Sequence, residues 1–126
     1  MISREYPTVL KRSKNRAAME KMHNTPISES ETNKLVFEYL DEDEVAEVRF
    51  SCTSGRAAAC YRGEETYLRF TPGGKLTKGI VLHEIAHIIN SNDRHGRQHD
   101  DSFVKVLDGL IWSEEEWTKN PYTSLF

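Results

Sequence analysis

The repeat of apolar and polar positions changes along the chain, and each change marks an element. Over residues 28–41, Leu35, Val36, Tyr39 and Leu40 recur at helical spacing. Ser28 or Ser30 can cap that helix, and Glu29 and Glu31 fall in its first turn, where the helix dipole favours negative charge. The acidic run Asp41-Glu42-Asp43-Glu44 reads as a solvated turn. From residue 45 the period falls to two. Ala46, Val48, Phe50 and Cys52 alternate with Val45, Glu47, Arg49 and Ser51, which is the pattern of a half-buried strand. Thr53-Ser54-Gly55 turns the chain, residues 57–62 form a second strand, Gly63-Glu64 a tight turn, and residues 65–70 a third strand. Strands joined by such short loops are expected to pair antiparallel. Pro72-Gly73-Gly74 stops the sheet.

Residues 75–91 carry Leu76, Ile80, Val81, Leu82, Ile85, Ala86, Ile88 and Ile89, apolar around most of a helical circumference, which predicts a buried central helix. A polar loop, 90–98, follows. Asp100 and Asp101 open another helix with Phe103, Val104, Leu107 and Ile111 on one face, and Ser113 with Glu116 reads as the capping box of a last short helix. The first 26 residues set Arg4, Lys11, Arg12, Lys14, Arg16 and Lys21 against Glu5 and Glu20, and the pattern leaves a short helix and a loose basic arm both open. The expected class is α+β: a short antiparallel three-stranded sheet packed against the central helix, with flanking helices. The expected organisation is a basic segment over 1–26 and a single domain over 27–126.

Composition narrows the function. The chain has 126 residues, 37% hydrophobic and 29% charged, with a net charge of −3. That suits one globular domain with a core of its own and argues against bulk nucleic-acid binding as its main task. Nucleic acid stays open as a partner only through the basic N-terminal segment. No apolar run is long enough to span a membrane, and the start of the chain lacks an apolar signal core, so the expected location is the cytoplasm. Cys52 and Cys60 form neither a disulfide framework nor a CxxC zinc site.

The chemistry is concentrated in His83-Glu84-Ile85-Ala86-His87. Residues four apart share a helix face, so His83 and His87 can grip one Zn2+ ion without moving the backbone. Glu84 projects beside that face and can act as general base on a water at the metal. Polar groups on a greasy helix are costly unless partnered, and a metal is such a partner. A catalytic zinc takes a third protein ligand and keeps a position open. Asp93, His95 and His99 are the candidates, and His99 is taken first because it starts the next helix four residues before Phe103, which would anchor it.

From His83 to Phe103 the chain resembles the small zincin metallopeptidases of the SprT-like and minigluzincin kind. The resemblance rests on the HExxH helix, the polar loop, and His95-Gly96-Arg97-Gln98-His99-Asp100-Asp101-Ser102-Phe103. In that group a short antiparallel sheet precedes the HExxH helix and the third ligand sits near the start of the following helix, often in an HGxxF pattern. Here the pattern is split, since His95 has the glycine and His99 the spaced phenylalanine. The resemblance implies hydrolysis of a protein or peptide, with the extended substrate added to a sheet edge, for which the strand over 65–70 is the candidate. His95, Arg97 and Tyr122 are available as further donors, and Asp100 or Asp101 can orient a ligand imidazole. The alternative is a zinc-binding module without catalysis, serving protein or nucleic-acid interaction.

Overall fold

In this computed structural model the described residues are 11, 13, 14, 16–50, 58–62, 66–70, 76–91 and 101–119. They form α1 (Arg16–His23), α2 (Glu29–Tyr39), β1 (Glu47–Arg49), β2 (Ala58–Arg62), β3 (Thr66–Phe70), α3 (Lys78–Ser91) and α4 (Asp101–Lys119). Within the N-terminal segment, for which helix and arm were both open, Arg16–His23 is helical as α1. Helix α2 starts where a capping box fixes it: Ser28 Oγ accepts the Glu31 N–H at 3.0 Å, and Glu31 accepts the Ser28 N–H at 3.2 Å.

Two expectations about the architecture are corrected. The first is the fold class, α+β with an antiparallel three-stranded sheet. Helices of 8, 11, 14 and 19 residues face strands of only 3, 5 and 5, so the described residues are predominantly helical. The small sheet is mixed, in the order β1-β3-β2, with β1 parallel and β2 antiparallel to β3. Leu68 and Phe70 of β3 are fully buried, which draws that strand to the middle, and the short charged strand β1 is left at a margin. The strand over 65–70 is therefore not an edge. Its backbone is paired on both sides, and an extended peptide has no ladder to join there. The second correction concerns the C-terminal helices. Ser113 does not cap a new helix, because α4 runs through it without a break. Phe103, Leu107, Leu110, Ile111 and Glu114 continue one buried stripe at helical spacing, so the packing favours a single long helix over two short ones.

Helix α3 is central, packed by α1, α2, α4 and β2. Its Val81, Leu82, Ile85 and Ala86 are fully buried among Met19 of α1, Val36 of α2 and Phe103, Leu107 and Ile111 of α4. The polar ends are tied as well. Asp108 of α4 accepts from Ser13 Oγ and, at 3.1 Å, from the Lys14 N–H, which pins the chain just before α1. Lys78 opens α3 at the end where the helix dipole disfavours a cation, and its ion pair with the buried Glu114, at 2.8 Å, offsets this. Glu114 also receives a short hydrogen bond from the Tyr39 hydroxyl, so one carboxylate joins α2, α3 and α4. No described helix is long and apolar enough to cross a membrane.

Candidate metal centre

Helix α3 begins under close restraint. Thr77 Oγ1 accepts the Ile80 N–H at 3.4 Å, in the manner of an N-cap. The α1–α2 connection straps the same end: Ile27 N–H donates to the Leu76 carbonyl at 3.2 Å and Lys78 N–H to the Thr25 carbonyl at 2.9 Å. One residue on, Gly79 lets α1 approach so closely that a Cβ there would meet His23 Nδ1 at 2.5 Å and the His23 backbone nitrogen at 2.8 Å. His23 is itself buried, with Nδ1 2.9 Å from the Met19 carbonyl. A carbonyl only accepts, so Nδ1 carries the proton. Burial holds the pKa of this imidazole below its ordinary value, although the bond to Met19 works in the opposite direction.

One turn further along the rigid helix stand His83, Glu84 and His87. His83 is buried, and Glu84 and His87 are half-buried, so the group runs from the core to the surface. One nitrogen from each imidazole and one carboxylate oxygen lie within 4.8 Å of one another. The two rings are 4.9 Å apart, nearly edge-to-face at 72°. Among the described residues these three form a group that can hold a metal ion. The donor set fits: tetrahedral zinc with bonds of about 2.1 Å needs donors roughly 3.4 Å apart, and side-chain torsions span the difference. The partial exposure of Glu84 and His87 keeps one side of the group open to solvent.

The first turn of α4 closes the other side. Phe103, fully buried, sets its ring 4.4 Å from that of His87 and 5.0 Å from that of His83. Its neighbour Ser102 donates to Asn90 Oδ1 at 2.9 Å. Asn90 follows His83 and His87 along the same face, at i+7 and i+3, and helix α3 continues past it to Ser91.

The structure thus brings His83, Glu84 and His87 together. His99, its alternatives His95 and Asp93, and Arg97, Asp100 and Tyr122 lie outside the described residues. Asp101 is exposed at the start of α4. Sequence reasoning marked Phe103 as a core anchor but missed its contact with both imidazoles, and it missed the Asn90–Ser102 bond. Both join α3 to α4, two elements whose mutual placement no periodic signal could have revealed. No protein family, curated protein or solved structure matches the chain.

Proposed function

We propose that the chain is a zinc-dependent peptidase in which His83 and His87 hold the metal and Glu84 is the general base. The supporting observation is the His83–Glu84–His87 group itself, two imidazole nitrogens and the carboxylate oxygen of the base within 4.8 Å of one another on one turn of an otherwise buried helix. His99 is the proposed third protein ligand.

Zinc, when bound, acts as a Lewis acid that polarises a peptide carbonyl and makes a neighbouring water more acidic. The chain's own groups do the rest. Glu84, on the solvent side of the group, accepts the proton of the attacking water and returns it to the amine nitrogen as the C–N bond breaks. The buried His83 and the Phe103 ring wall off the inner side, so water reaches the group from the side of Glu84 and His87. A purely structural site has no use for a carboxylate at residue 84, which favours the peptidase over the non-catalytic module.

The deciding experiment is Glu84→Gln. The variant is expected to bind zinc as the wild type does and to lose cleavage of an unfolded casein-like substrate. Wild-type protein carrying stoichiometric zinc that cleaves nothing in a broad peptide library would overturn the peptidase reading.

A further inference from the structure

We propose that Phe103 is a positioning residue for the metal centre, and that its ring, rather than the helix backbone alone, sets the directions in which the His83 and His87 imidazoles present their nitrogens. This rests on the metal-centre reading above and adds a residue to it from a second helix.

The argument starts from what a helix can and cannot fix. Spacing four residues apart puts two histidines on one face, but the terminal ring torsion of histidine is broad and roughly two-fold. An imidazole free to rotate spends much of its time with the wrong atoms towards an ion. Immobilising two such rings on binding costs free energy that a preorganised site has already met. Metal-binding histidines are usually oriented by a hydrogen bond from their second nitrogen. An aromatic ring packed against both imidazoles adds a further restraint on their rotation. Phe103 lies tilted by 31° over His87 at 4.4 Å and meets His83 at 63° and 5.0 Å, while the two imidazoles stand at 72° to each other. The three rings form a mutually packed cluster with one tilted pair and two edge-on pairs, the edge-on arrangement being one that aromatic quadrupoles favour. Phe103 is itself packed on all sides: it is fully buried, and the Ser102–Asn90 hydrogen bond beside it joins the first turn of α4 to the last turn of α3.

The consequence is a division of labour between two helices. Helix α3 supplies the donors and helix α4 their orientation. Leucine at residue 103 would keep most of the apolar volume but lose the flat face, so it separates orientation from simple filling of the core.

The test uses the full chain. Zinc affinity is measured by competition with a chelator for wild type, Phe103→Leu and Ile111→Ala, the last being a fully buried α4 residue two turns further on that serves as a control for lost core packing. Cobalt(II) absorption spectra of the same three proteins report ligand geometry. Phe103→Leu is expected to bind zinc about tenfold or more weakly, in the range seen when the groups that orient metal ligands are removed, and to show an altered cobalt spectrum, whereas Ile111→Ala keeps both. Equal affinity and an unchanged spectrum in Phe103→Leu would overturn the proposal, as would an equal loss in Ile111→Ala. Wild-type protein that binds no zinc would overturn the metal-centre reading and this one with it. If Phe103→Leu does not fold, the proton NMR spectrum of metal-free wild type decides. Ring-current shifts of the His83 and His87 ring protons support the packed cluster, and signals at their unfolded positions overturn it.

Discussion

Asn90 and Ser102, twelve residues apart, join the end of α3 to the start of α4 through a hydrogen bond of 2.9 Å from Ser102 Oγ to Asn90 Oδ1. Asn90 is buried, so the bond matters more for what its loss leaves behind than for its own strength. Ser102→Ala removes the donor and strands a buried amide oxygen, at a cost of about 1–3 kcal/mol. Urea denaturation checks this. In a double-mutant cycle with Asn90→Ala the two losses should be less than additive, by roughly 0.5 kcal/mol or more, as for residues in direct contact. Full additivity would show that the two side chains are not coupled.

Gly79→Ala should reverse the usual sign for a helix. In an ordinary helical position the exchange stabilises by roughly 0.5–1 kcal/mol. Here the added Cβ would lie 2.5 Å from His23 Nδ1 and 2.8 Å from the His23 backbone nitrogen. The expected result is a loss of about 1–3 kcal/mol, the usual scale of overpacking, seen as a lower urea midpoint at an unchanged slope. Adding His23→Ala should restore only part of the loss, because a backbone atom is among the contacts. A more stable Gly79→Ala protein would show that α1 and α3 do not approach so closely.

Stability should depend on pH at two separate groups. Burial lowers the His23 pKa below the value of 6.5 for a free imidazole, so the unfolded chain takes up the proton first as pH falls. Its contribution is complete above about pH 6.5 and is lost as pH falls through the lower, folded value. Tyr39 is shifted upward, chiefly by burial and then by its hydrogen bond to Glu114. Its contribution is complete below about pH 10 and is lost as pH rises through the higher, folded value. Urea unfolding measured across pH should show His23→Gln flattening the acid limb and Tyr39→Phe flattening the alkaline limb. Tyr39→Phe should also cost about 1–3 kcal/mol at neutral pH, since it takes a donor from a buried carboxylate. Limbs identical to wild type in both variants would remove these two residues from the account.

The chain by itself determined whatever depends on neighbours a few residues apart. The Ser28–Glu31 capping box, the helical stripe of α2, the two-residue period of the strands and the apolar circumference of α3 are local patterns, and elements form where those patterns lie. The placing of His83, Glu84 and His87 on one turn is equally local, because the pitch of a helix fixes it. Only the tertiary structure decided how the elements meet. The burial of Leu68 and Phe70 moved β3 to the middle of a mixed sheet, although short loops argued for an antiparallel meander. The continuous apolar stripe carried α4 through Ser113, although the Ser113–Glu116 spacing argued for a cap. Phe103 reached both imidazoles and Asn90 reached Ser102 from separate helices, whose relative placement no local pattern records. Periodicity encodes which face of an element is buried; it does not encode which partner buries it, because that is settled by the packing of the whole core at once.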